Sequence, residues 1–331
     1  MPRALQHRPL YREILRDALS LAWKEKRFWP LALLVVFLQT AGIYDVFFLS
    51  LRNAFQTPLA GNQGWQGYLL QISRLDWVDR FALTQSILLS LALIFLILFF
   101  SVVAQGTLVA CIDRGEAKIG RGFRQAIQAA AKRVVPLAVL NILMVGITGL
   151  GSVGLKAVAG AVVGMSGGTI LFAIAALVYL FILFVSTALH LFALNGIMAD
   201  GMTLHEALQH AAQLLRKTWI TVAETALCMM LVGAFIFAMS VVLSLFAGLP
   251  ALGFLVTSLY LGLPKVFVFA NVAISAIVFL MAIMGGLFAI NFQYATWNRL
   301  YRRAVEGTAH SKVVRVIHAL TSRRTRSSST R

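Results

Sequence analysis

The sequence predicts an all-α polytopic membrane protein with six transmembrane helices, three cytoplasmic amphipathic helices and a threefold internal repeat. Three observations lead there. Of the 331 residues, 60% are hydrophobic and only 12% charged, against about 45–50% and about 25% in soluble domains. The apolar residues collect in six long runs, and the cations collect in every second connection. This composition excludes an ordinary soluble enzyme, a disordered chain and a coiled coil. The runs are continuous rather than alternating, which argues against a β-barrel.

The runs cover about 28–51, 81–110, 134–155, 170–198, 219–247 and 266–297. Each reaches the roughly 20 residues that cross a hydrocarbon core at 1.5 Å per residue. The first follows 27 mostly polar residues. It is too late and too long for a cleaved signal peptide and is expected to be a retained first span. Pro30 and Pro136 stand in the first turn of two runs, where a missing backbone N–H costs nothing.

The net charge is +17, which in a soluble chain would point to nucleic acid. Its placement points elsewhere. The N-terminal segment holds seven Lys and Arg, the connection between runs two and three holds six, that between four and five holds two, and the C-terminal segment holds nine. These 24 lie on one side of a six-span topology and the remaining five on the other. The positive-inside bias then places both termini in the cytoplasm. The expected partners are membrane lipids, through anionic headgroups at the cytoplasmic face, and not nucleic acid. A protein partner is left unidentified.

Three cytoplasmic segments resemble one another: LYREILRDALSLAWKEKR at 10–27, IGRGFRQAIQAAAKR at 119–133 and TLHEALQHAAQLLRK at 203–217. Each carries Ala-[Leu/Ile]-x-x-Ala, as Ala18/Ala22, Ala126/Ala130 and Ala207/Ala211, and each enters an odd-numbered span through a basic cluster. Apolar pairs every four residues in the first copy predict an amphipathic helix. In the third, Thr203-x-x-Glu206 reads as a capping box. The even-numbered spans carry Gln105-Gly106, Asn195-Gly196 and Asn291-Phe292 near their cytoplasmic ends, and two of them exit through Asp113-Arg114-Gly115 and Asp200-Gly201. The repeats run about 10–110, 119–198 and 203–297, all in one orientation. They make up a membrane domain at 1–303, followed by a basic cytoplasmic tail at 304–331. Its end, SRRTRSSSTR, is too polar to fold alone and is expected to be partly disordered. In the long outer loop at 52–80, Trp65, Tyr68, Leu69, Ile72, Leu75 and Val78 share one helical face and predict an interfacial helix.

The segments ALSLAWKEKRFWP and EALQHAAQLLRKTW, set before odd spans, give the chain a family likeness. It resembles a broad group of poorly characterised bacterial six-span membrane proteins that includes the membrane domain fused to some glycerophosphodiester phosphodiesterases. The likeness extends to about Arg303. The phosphodiesterase catalytic domain has no counterpart in this sequence and no metal-binding acid cluster stands in for it. The resemblance therefore implies a fold and no enzyme activity.

No catalytic set, metal site or cofactor site is expected. His205-Glu206-Ala-Leu-Gln-His210 is one residue too long for the HExxH zinc pattern. Its two imidazoles fall about 140° apart around a helix. Cys111 and Cys228 stand alone and read as small packing residues. Gly160-x-x-x-Gly164-x-x-x-Gly168 predicts close helix contact, with a broken helix lining a cavity as the alternative. The polar residues that stand out are Gln105, Asn141, Asn195, Glu224 and Asn291. Each lies about four to seven residues inside the cytoplasmic end of a span, roughly 6–10 Å deep. They are either interhelical hydrogen-bond glue or the floor of a polar cavity. His190, nearer the midplane, is a candidate proton-handling group or a structural histidine.

The expected function is non-enzymatic: a scaffold or accessory subunit for membrane and lipid organisation or assembly. The alternative is a small transporter or lipid-handling permease that uses the polar layer around Glu224. An embedded enzyme would need His190, Asp45 and Glu224, from three spans, to converge.

Overall fold

The computed structural model describes residues 10–38, 77–114, 121–162, 167–262 and 264–308. Among these residues the chain is helical and has no strand. In order, the helices are α1 (Leu10–Lys24), α2 (Trp29–Val35), α3 (Trp77–Arg114), α4 (Arg121–Lys132), α5 (Val134–Val162), α6 (Gly168–Ala199), α7 (Leu204–Tyr260) and α8 (Pro264–Val305), with 3-10 turns at Lys26–Phe28 and Val36–Leu38. Five of them, α3 and α5 to α8, are long and apolar enough to cross a membrane. The protein is a multi-pass all-α membrane protein. The outer part of the first expected span with Asp45, most of the expected outer-loop helix, Gly164 and the tail beyond 308 lie outside the described residues.

The helices are tightly packed at one end only. Buried residues concentrate at 14–38, 101–112, 126–144, 186–198, 207–225 and 287–304. Toward the other end, large side chains such as Leu89, Phe95, Leu150, Phe181, Phe235 and Phe269 are exposed on the protein surface. Such a surface suits lipid, where apolar side chains lose nothing by facing outward. At the packed end Glu13 on α1 pairs with Arg303 on α8 at 3.1 Å, so the first and last described helices meet there.

The short helices dock through their alanines. Ala18, Ala22, Ala126, Ala130, Ala207 and Ala211 are all buried. Small residues at these sites let two backbones approach closely. The clearest case is Gly106 on α3, where an added Cβ would stand 3.0 Å from Ala130 Cβ and 2.8 Å from Leu137 Cδ1. Backbone breaks separate the short helices from the apolar ones. Glu25 (φ −93°, ψ 64°) precedes the turn into α2, where Trp29 Nε1 donates to the Ala22 carbonyl at 3.2 Å. Arg133 forms a turn between α4 and α5.

In the third copy the expected separate helices form one continuous element, α7, kinked at Thr218 (φ −121°, ψ 18°). The chain bends where the basic cluster ends, but the helix does not stop. The capping box at its start is present: Glu206 N–H donates to Thr203 Oγ1 at 3.4 Å, and Thr203 N–H donates to the Glu206 carboxylate at 2.9 Å. At the far end α7 and α8 extend beyond the expected limits of 247 and 266, because a backbone in apolar surroundings keeps its hydrogen bonds by remaining helical.

The glycine pattern also differs from expectation. Gly160 would meet nothing within 4 Å, and α5 runs unbroken through it. Close approaches fall instead at Gly168, where a Cβ would overlap the Val162 carbonyl oxygen, and at Gly151, where it would stand 2.5 Å from the Tyr179 ring. Among the described residues Gly160 itself makes no helix contact of the expected kind.

Two substitutions separate these environments. Ala130→Leu forces a larger side chain between α4 and α3 and is expected to destabilise by about 1–3 kcal/mol. Gly160→Ala, in open space within a helix, is expected to be neutral or to stabilise by up to about 1 kcal/mol. Thermal unfolding of the purified protein in detergent measures both. A melting temperature unchanged by Ala130→Leu would refute the docking geometry.

Candidate functional site

Two polar clusters occupy the packed end. The deeper one draws a single side chain from each of four helices: Gln105 (α3), Asn141 (α5), His190 (α6) and Tyr294 (α8). All four are buried. Gln105 is at the centre. Its Nε2 donates to the Tyr294 hydroxyl at 2.8 Å and lies 3.3 Å from His190 Nε2, and its Oε1 accepts from Asn141 Nδ2 at 2.7 Å. The second hydrogen of Asn141 goes to the Leu137 carbonyl at 2.8 Å. Counting donors assigns the histidine tautomer. Gln105 has two N–H groups, one for Tyr294 and one for His190, so a neutral His190 accepts at Nε2 and carries its hydrogen on Nδ1. That atom is buried and has no hydrogen-bond partner among the described residues.

The second cluster lies where the helices leave the apolar region. Arg302 on α8 places Nε and Nη2 on the two carboxylate oxygens of Asp113, both at 2.5 Å, and Nη1 on Asp200 at 2.9 Å. Asp113 ends α3 and Asp200 caps α6, so one guanidinium joins the ends of three helices. Planar bidentate pairing of this kind is among the stronger charge-assisted contacts. Tyr301 donates its hydroxyl to the other oxygen of Asp200. One turn earlier, Asn298 Nδ2 donates to Asn195 Oδ1 at 2.8 Å and reaches Asp113 at 3.4 Å. Arg133 donates to the Ile197 carbonyl in the last turn of α6, where carbonyls lack helical partners. The chain then turns at Gly201, whose φ of +78° favours glycine and where an added Cβ would stand 3.1 Å from the Arg133 guanidinium.

The expected polar layer is thus divided. Gln105 and Asn141 meet as expected, and His190 joins them although it was expected at a different depth. Asn195 belongs to the second cluster, because Asn298 rather than Gln105 faces it. Asn291 is fully buried, and neither its Nδ2 nor its Oδ1 has a partner among the described residues. Glu224 is half-buried on α7, on the turn that carries buried Thr221 and Thr225. His205 is exposed and bonds Gln209 at 2.8 Å, while the His210 ring packs on Tyr301 with centroids 6.3 Å apart. Neither Cys111 nor Cys228 is in a disulfide.

Tyr294, Asn298, Tyr301 and Arg302 escaped the sequence reading. Tyr294, Asn298 and Tyr301 follow Asn291 at intervals of three and four residues along α8, and Arg302 is four beyond Asn298, a polar stripe of helical period that could have marked one buried face.

Gln105→Leu removes three cross-helix contacts at once. At about 0.6 kcal/mol each, the expected loss is about 2 kcal/mol, against about a third of that for Asn141→Leu. Equal losses in melting temperature would show that the network is not centred on Gln105. Arg302→Lys is expected to cost about 1 kcal/mol or more, because a single ammonium cannot reproduce the fork across Asp113. No family model matches this chain, and no similar protein was found among the curated proteins or the solved structures compared with it.

Proposed function

We propose that this chain is a non-enzymatic integral protein of the bacterial inner membrane, a scaffold or accessory subunit that organises membrane lipid or assembles other components. The observation that carries this reading is the closed polar layer. Gln105, Asn141, His190 and Tyr294 are buried, and the bonds between them, with the Leu137 carbonyl, use every amide hydrogen of Gln105 and Asn141. A layer of that kind fixes helices in one arrangement and leaves no polar wall for a solute. The apolar side chains at the other end are available to lipid or to a partner.

In this reading the chain spans the membrane six times, the first crossing continuing through 39–51. Three short amphipathic helices line the cytoplasmic face, both termini are cytoplasmic, and three units repeat in parallel. Support comes from a shared order of features: a short helix with two buried alanines, a basic cluster at a bend (Glu25, Arg133, Thr218), then an apolar helix. Exposed cations of that face would meet anionic headgroups.

Asn291 favours a second reading, a small transporter or permease. An amide buried without partners costs roughly 1–3 kcal/mol, a cost that a second conformation or a passing polar solute would offset. Glu224 and His190 would then serve the same path.

Two measurements test these readings. Reporter fusions are expected to place residues 60–75 outside and 118–125 inside, and the same side for both would end the six-span arrangement. Asn291→Cys, exposed to a membrane-impermeant maleimide in inside-out vesicles and in whole cells, is expected to stay unmodified if the layer is closed. Rapid labelling from either side would favour the transporter over the scaffold.

A further inference from the structure

A crevice of about 280 Å³ opens at the packed end, between α1, the 3-10 turn that follows it and the last turns of α3 and α8. Two carboxylates, Asp17 and Glu25, and two cations, Lys24 and Arg299, line it with the Ser20 hydroxyl, over the buried ring of Phe28. Among the described residues none of these four charged side chains is in an ion pair. The charges sum to zero. A simple anion would meet as many like charges as opposite ones, and so would a simple cation. A zwitterion finds a partner for each of its charges.

The depth narrows the ligand class. The crevice lies where the apolar stretches of α3 and α8 give way to the Asp113–Arg302–Asp200 cluster. Exposed Trp23 and half-buried Trp29 flank this level, and tryptophan collects at the headgroup region of a bilayer. A volume slightly below the roughly 300 Å³ at which drug-sized pockets begin admits a headgroup and excludes acyl chains.

We propose that this crevice binds the phosphoryl-ethanolamine zwitterion of an aminophospholipid headgroup. Lys24 and Arg299 take the phosphate, with Ser20 donating to it, and Asp17 and Glu25 take the primary ammonium. A primary ammonium brings three hydrogen-bond donors to the two carboxylates. Choline brings none and is recognised by aromatic cages, whereas this crevice has Phe28 as its aromatic side chain. Phosphatidylglycerol lacks the ammonium and leaves both carboxylates facing an anion. The site is separate from the Gln105 network and depends on neither functional reading.

The test uses the purified full-length protein in detergent, with bound molecules counted by native mass spectrometry. Dihexanoyl phosphatidylethanolamine, phosphatidylcholine and phosphatidylglycerol are titrated in parallel, and soluble phosphoethanolamine is added as a competitor. The ethanolamine lipid is expected to bind about tenfold more tightly than the other two. Lys24→Gln with Arg299→Gln is expected to weaken it about tenfold. Asp17→Asn with Glu25→Gln is expected to abolish its preference over the choline lipid while leaving phosphate-driven binding. Thermal unfolding checks each variant, and Asp17→Asn alone, at an exposed position, carries the test if a double variant does not fold. Competition by phosphoethanolamine at the lipid's own affinity would assign the site to the soluble zwitterion, and failure to compete would assign it to the lipid. Equal binding of the three lipids, or a folded carboxylate variant that keeps the full preference, would overturn the proposal.

Discussion

A single guanidinium holds the packed end together. Arg302 reaches the carboxylates of Asp113 and Asp200, each at the end of a different apolar helix. Asp113 is only 10% exposed, so its charge has to be met by a partner rather than by water. Once that corner is fixed, the neighbouring turns of α8 present Asn298 to Asn195 and, further in, Tyr294 to Gln105. The two clusters are successive turns of one helix face, and the ends of α3 and α6 are positioned by what that face offers.

The asymmetry of the molecule follows from its solvent. In a bilayer, apolar side chains are not driven together, and association relies on close packing and hydrogen bonds. Both are concentrated at one end here. The alanine pairs and Gly106 bring backbones near enough to pack, and the amides of Gln105 and Asn141 link helices across the gap. At the other end the helices carry Leu, Ile, Val and Phe on several faces with few polar groups to link them, and many of those side chains remain exposed.

The short helices connect these two regimes. Each carries an apolar face ending in two alanines, a basic cluster, and a bend before the apolar helix. The cations around them are not equivalent. Arg133 caps the last turn of α6, Arg303 pairs with Glu13, and Lys24 faces the crevice. A count of positive charge treats all three alike, although only some remain free to meet a headgroup.

The all-α class and the five long apolar helices were legible in the sequence because burial in lipid demands continuous apolar runs, and that demand is local. The capping box at Thr203 and the buried alanines were legible for the same reason, since each is written within one helical turn or two. Cross-helix pairing was not. Gln105, Asn141 and Asn195 stood out as polar groups at one depth, yet depth along a helix says nothing about rotation around it. Rotation decided that His190 and Tyr294 share a cluster with Gln105, that Asn195 meets Asn298, and that Asn291 meets no partner among the described residues. Asp113 and Asp200 read as turn residues, and Arg302 as one cation in a basic segment, because hydrogen bonds between residues 102 and 189 positions apart leave no spacing in the sequence to detect. The sequence by itself determined which segments form long apolar helices and which faces of the short helices are apolar. Only the tertiary structure decided which polar groups meet, because that depends on how the helices turn toward one another when they pack.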